Sequence, residues 1–258
     1  MGSRTAKLIA FGRLLDIMDE LREKCPWDRK QTFETLRHLT IEETYELGDA
    51  ILEHDLEEIK KELGDLLLHI VFYSKIGSEK KAFDIADVAN EIVEKLIHRH
   101  PHIYGKTDVG DVQQVVRNWE EIKLKEGKKS VLEGVPKSLP AMVKAYRIQE
   151  KVSGVGFDWD KKEAVFENIK EELDELRTEI DVGDSNKIEL ELGDVIFSLV
   201  NYARFLKVNP ENALERTNKK FIKRFEYVEK KTKESQRKVS DLSIEEMEVL
   251  WQEAKKKD

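Results

Sequence analysis

Leu, Ile, Val and aromatic residues recur along this chain at intervals of three and four, with Glu and Lys between them. Such spacing marks amphipathic helices, and no convincing stretch alternates as a half-buried strand would. The first helix spans about Thr5 to Lys24 and stops ahead of Cys25-Pro26-Trp27-Asp28, because proline disfavours helix in the residue before it. Thr32 or a neighbour caps a second helix, and Asp55 starts a third whose Leu63, Leu66, Leu67, Ile70 and Val71 form the buried face. Asp84 opens a fourth that ends at the run from His98 to His102, and Asp111 a fifth that carries Trp119. Gly127 to Pro140 breaks the pattern with two glycines and two prolines, as a linker does. Beyond it, a helix from about Ala141 leads to Gly156-Phe157-Asp158-Trp159. Two further helices follow, then one from about Glu211 to Lys231 and one from Ser243 carrying Trp251. The expected fold is all-α, with one helical unit over 1–126, a linker over 127–140 and a second unit over 141–258.

Polar residues on these helices follow a rule of their own. Glu42, Glu43 and Glu46 are followed, with fifteen residues between, by Glu62 and Asp65; Glu171, Glu172 and Glu175 are followed, again with fifteen between, by Glu191 and Asp194. The offset is constant, since 171 − 42, 191 − 62 and 194 − 65 all equal 129. Positions three apart share a helix face, so each copy places two carboxylate pairs on successive helices. Folded back on one another, these bring four carboxylates to one spot. Crowded anions repel unless neutralised, and an all-oxygen cage suits a hard cation such as magnesium or manganese. Both copies read Glu-Leu-Gly-Asp, with Gly64 and Gly193 inside a helical pattern. Glycine costs about 1 kcal/mol there relative to alanine, which predicts close approach by a neighbouring helix or a ligand.

Composition narrows the classes. The chain has 258 residues, 40% of them hydrophobic, enough for a real core. A net charge of −8 argues against general binding to nucleic acid or an anionic membrane. A single cysteine, Cys25, excludes an intrachain disulfide and fits a reducing compartment. No apolar run approaches the ~20 residues of a membrane span, and the start has no signal-peptide core. The expectation is a soluble cytoplasmic protein.

The doubled carboxylate pattern, with Cys25-Pro26-Trp27-Asp28, Arg99-His100-Pro101-His102 and the turn at 156–159, resembles the MazG nucleoside triphosphate pyrophosphohydrolases in their two-domain form. The resemblance covers essentially the whole chain. It implies an all-α fold of the NTP pyrophosphatase type, magnesium dependence, homodimers, and hydrolysis of nucleoside triphosphates to monophosphate and pyrophosphate. Its metal-ligand positions fall on Glu43, Glu46, Glu62 and Asp65 and on Glu172, Glu175, Glu191 and Asp194.

Cleavage between the alpha and beta phosphorus atoms needs an aligned water and neutralised oxygens. Glu171 and Glu42 adjoin ligands, so each could orient or deprotonate the water, or equally hydrogen-bond a ligand. The triphosphate also needs cations. Lys170, Lys187 and Asn201 stand where the first unit has Ile41, Glu58 and Phe72. The second unit is therefore expected to carry most of the turnover. Asn168 joins the candidate substrate-binding residues. Lys220 and Arg224, at i and i+4, could reach phosphates or be solvated, and Lys95 and Arg99 are their counterparts. Trp251 and Trp119 could stack on a base or fill a core. His98, His100 and His102 have no counterpart in the second unit, which excludes a shared histidine-metal mechanism. A non-catalytic helical regulatory or nucleotide-sensing scaffold is the alternative, but a scaffold has no need of lysines beside the carboxylates.

Overall fold

The structure, a computed structural model, describes residues 2–257 apart from 109, 112, 113, 116, 117, 120, 121, 123–125 and 127–129. It divides into two compact units, Met1–Val109 and Gly110–Asp258. All regular structure among the described residues is helical, and no helix among them is long and apolar enough to cross a membrane. The helix expected from Asp111 through Trp119 lies largely outside the described residues.

In the first unit α1 (Arg4–Lys24) is capped by Ser3, whose hydroxyl accepts from the Ala6 N–H. Helices α2 (Phe33–Glu53) and α3 (Leu56–Glu79) form a tight hairpin. Thr32 caps α2 in a reciprocal box with Thr35, and the Asp55 carboxylate accepts from the Glu57 and Glu58 N–H groups at 3.0 and 3.1 Å. These side chains satisfy N–H groups that a helix start leaves unpaired. The turn between the helices has His54 in the left-handed region, at φ 58°. Helices α4 (Ile85–Arg99) and α5 (Pro101–Tyr104) follow. The core gathers Met18 of α1, Leu36 of α2, and Val71, Phe72 and Ile76 of α3. Arg22 ties the rim: it pairs with Glu79, donates to the carbonyl oxygens of Asp28 and Gln31, and lies over the Phe72 ring.

The second unit repeats the plan with α6 (Ala141–Ser153), α7 (Lys162–Val182), α8 (Ser185–Phe205), α9 (Pro210–Glu234) and α10 (Ile244–Lys255). Gly183, at φ 82°, closes α7, and Asp184 caps α8 as Asp55 caps α3. Val165 and Ile169 of α7 are buried, as are Val195 and Val200 of α8 and Val228 of α9. Gln149 fastens α6 to α8 by donating from Nε2 to the Phe197 carbonyl at 2.8 Å. The buried Lys151 ammonium donates to the Val131 carbonyl at 3.0 Å, which anchors that loop to α6.

Candidate metal and nucleotide site

Each helix hairpin delivers its carboxylates to one place. Glu172 and Glu175 on α7 and Glu191 on α8 each offer an oxygen within 4.8 Å of the others, and Glu43, Glu46 and Glu62 do the same across α2 and α3. Asp194 and Asp65 stand one turn beyond Glu191 and Glu62, outside these sets of three but close enough to be felt. Burial, then Glu175, Asp194 and Glu172, raise the Glu191 pKa. Burial, then Asp65, Glu46 and Glu62, raise that of Glu43.

The donor set fits a hard cation. Glu62 is 1% exposed, and its Oε2 has no hydrogen-bond partner. A buried carboxylate oxygen left unpaired is costly, and a divalent cation held by oxygens removes that cost. On its other oxygen Glu62 accepts from Lys61 at 3.0 Å, and Lys61 also pairs with Glu58 at 2.6 Å. The hydrogen bond from Lys61 lowers the Glu62 pKa. The first unit thus has a cation at its carboxylates where the second, at 61 + 129, has Leu190. Lys61 is a base at the first unit's carboxylates that the comparison of Ile41 and Glu58 with Lys170 and Lys187 did not count.

The structure sorts the remaining candidates. Asn168 donates to Glu172 Oε1 and accepts from the Ser198 hydroxyl, both at 3.1 Å, so it orients a ligand candidate. Lys187 reaches Glu179 at 3.4 Å, and Glu179 adds to the repulsion felt by Glu191. Lys170 turns instead to Glu167, at 2.9 Å, with its ammonium over the Phe166 ring. Glu171 and Glu42 are exposed and stand outside the sets of three. Lys95 and Arg99 lie on α4, and Trp119 is half-buried. The Arg224 guanidinium lies 5.7 Å from the Trp251 ring centroid, and Trp251 lines a separate groove between α9 and α10. Lys220 is exposed, and none of Lys220, Arg224 and Trp251 lines the larger cavity beside the carboxylates.

That cavity, of about 570 Å³, opens against Glu172 and Asp194. Its walls include Val152, Phe157, Trp159 and Phe197, and Asn168 and Asn201 add amides. Its outer turn is pinned by Arg204, which pairs with Asp158 and donates to Ser153 and to Asn201 Oδ1. Burial pushes the Asp158 carboxyl up, but the Arg204 and Ser153 hydrogen bonds outweigh it and hold the pKa below its ordinary value. The equivalents of Asn168, Phe197 and Asn201, 129 residues earlier, are Leu39, Leu68 and Phe72, all packed in the first unit's core. Phe72 is 2% exposed.

Sequence reasoning missed Gln149, Asp158 as an ion-pair partner, and Arg204. The aromatic-acid turn hinted at Asp158, but nothing in the spacing pointed to Gln149. No neighbouring helix of the same unit approaches Gly64 or Gly193, since a Cβ added at either would meet nothing within 4 Å. Glycines hemmed in by their own unit include Gly77, where a Cβ would come within 2.9 Å of the Phe83 carbonyl oxygen, and Gly105, where it would come within 2.7 Å of the Pro101 carbonyl oxygen.

The model of the MazG nucleotide pyrophosphohydrolase domain matches this chain twice, over residues 31–104 and 160–229. Both matches contain a carboxylate hairpin. The chain belongs to the MazG family. Its similarity to other MazG proteins runs nearly end to end. It is 40% identical to the nucleoside triphosphate pyrophosphohydrolase of Escherichia coli K12 over 255 residues, covering 95% of this chain and 97% of that one. It is 44% identical to the nucleoside triphosphate pyrophosphohydrolase/pyrophosphatase MazG of Thermotoga maritima over 252 residues, 96% of each. It is 42% identical to the uncharacterized protein YabN of Bacillus subtilis, covering 95% of this chain but 51% of that longer one.

Proposed function

We propose that this MazG protein hydrolyses nucleoside triphosphates to the monophosphate and pyrophosphate, and that the second unit carries the turnover. The supporting observation is the cavity beside Glu172 and Asp194, at positions the first unit fills with Leu39, Leu68 and Phe72. Glu172, Glu175, Glu191 and Asp194 would hold magnesium, or manganese, which when bound supplies charge neutralisation for phosphate oxygens and acidifies a water. Asn168 fixes Glu172 in place for this, and Asp158 with Arg204 keeps the cavity wall in position. Lys187, beside the cluster, is the cation assigned to the outer phosphates. Glu171, next to Glu172 but turned to solvent, is assigned to the attacking water. A non-catalytic scaffold would have no need of a lysine beside the carboxylates. With a net charge of −8, the protein is assigned to free nucleotides in the cytoplasm rather than to nucleic acid or a membrane.

The test is pyrophosphate release by the full chain, with and without magnesium. E172A/E175A should lose turnover at least about 100-fold, the scale of transition-state charge stabilisation, while keeping its helical circular dichroism. E43A/E46A should keep most of it. The reverse pattern would move the activity to the first unit.

A further inference from the structure

The cavity runs from the exposed carboxylate of Asp194 to a buried amide. Gln149 lines it, is 4% exposed, and its Oε1 has no hydrogen-bond partner. The amide cannot gain by turning over. Its Nε2 already donates to the Phe197 carbonyl at 2.8 Å, and the flipped amide would set two carbonyl oxygens against each other. A fixed acceptor is thus left unsatisfied in a space walled by Phe157, Trp159 and Phe197. Native proteins seldom leave such an atom unpaired without a use for it.

An apolar, aromatic-walled space suits a flat ring, and the carboxylate end suits the metal-bound phosphates of the same molecule. We infer that Gln149 reads the nucleobase: its Oε1 accepts a hydrogen bond from an N–H group on the base edge, an exocyclic amine or a ring imino group. This rests on the second unit being the catalytic one. Among the described residues of the first unit the positions equivalent to Asn168, Phe197 and Asn201 hold Leu39, Leu68 and Phe72, packed in its core. Asn201 lines the same cavity and its Oδ1 is held by Arg204, which leaves its NH₂ as the complementary donor. Each of the four common bases carries at least one N–H on its pairing edge, so Gln149 demands a donor without choosing among them. A base with no donor leaves Oε1 unpaired.

Purine riboside triphosphate keeps the purine ring of ATP and lacks its 6-amino group, the one N–H donor of adenine. The experiment compares kcat/KM for it with those for ATP, GTP, CTP and UTP, in the wild-type chain and in Gln149→Met. In the wild type, purine riboside triphosphate should fall about 10- to 100-fold below the best of the four, as an unpaired buried acceptor predicts. In Gln149→Met the gap should close, through loss on the amino and imino bases. A wild-type gap near one overturns the inference without any variant, so a Gln149→Met chain that failed to fold would not shelter it. A uniform loss on all five substrates assigns Gln149 to packing and also overturns it. Glu172→Gln separates the two levels. Full turnover in Glu172→Gln removes the catalytic assignment of the second unit. A dead Glu172→Gln beside a wild-type gap near one removes the Gln149 reading alone.

Discussion

Glu191 sits where burial and four other carboxylates act together, and its pKa is raised by burial first and then by Glu175, Asp194, Glu172 and Glu179. Above the raised pKa the folded, metal-free protein carries a repulsion that the unfolded chain does not. As pH falls through that pKa, Glu191 gains its proton in the folded state first and the penalty disappears. Glu191→Gln should therefore melt higher than the wild type in chelator at pH 7, and the difference should vanish toward about pH 4, near the ordinary Glu value. Magnesium should reverse the order, stabilising the wild type more than the variant. Thermal melts at several pH values, with and without the metal, check both signs. A variant that melts lower in chelator at pH 7 would mean that Glu191 is stabilised by partners rather than repelled.

The elements are set by short-range chemistry. Thr32, Asp55 and Asp84 in the first unit and Ser243 in the second each cap the helix that their position in the pattern announced; Asp184 and Asn209 cap two more helices of the second unit that the pattern did not assign a cap. Gly64 and Gly193 are the exceptions to good helix chemistry, and nothing in their own units crowds them. Replacing Gly193 by Ala should stabilise the chain by about 1 kcal/mol from helix propensity alone, read from chemical denaturation. Pyrophosphate release by the same variant then shows whether an approaching substrate or second copy uses that open helix surface.

For the whole molecule, the exposed apolar surface of the carboxylate helices bears on assembly. Leu192, Ile196 and Leu199 of α8, and Leu173 and Ile180 of α7, are all exposed, and the α8 trio shares one face by its i, i+4, i+7 spacing. Contiguous exposed apolar patches mark association surfaces, and the homodimer that the family resemblance implies would bury them. Ile196→Glu should shift the mass measured by sedimentation toward the monomer; a wild type already monomeric at micromolar concentration would refute the dimer. The helical class, the doubled hairpin and the two sets of three clustered glutamates were legible in the sequence, because helix periodicity, caps and three-residue spacing are local properties. The cavity was not. Gln149, Asp158 and Arg204 come from one helix, a turn and another helix, and only packing sets the Gln149 amide against the Phe197 carbonyl, 48 residues away. The exchange of Phe72 for Asn201 was visible in the sequence, but only packing shows the first filling a core and the second lining a cavity, and the same packing turned Lys170 to Glu167 and set Arg224 over the Trp251 ring, away from that cavity. Spacing along a helix determines which side chains share a face; only tertiary structure decides what that face meets.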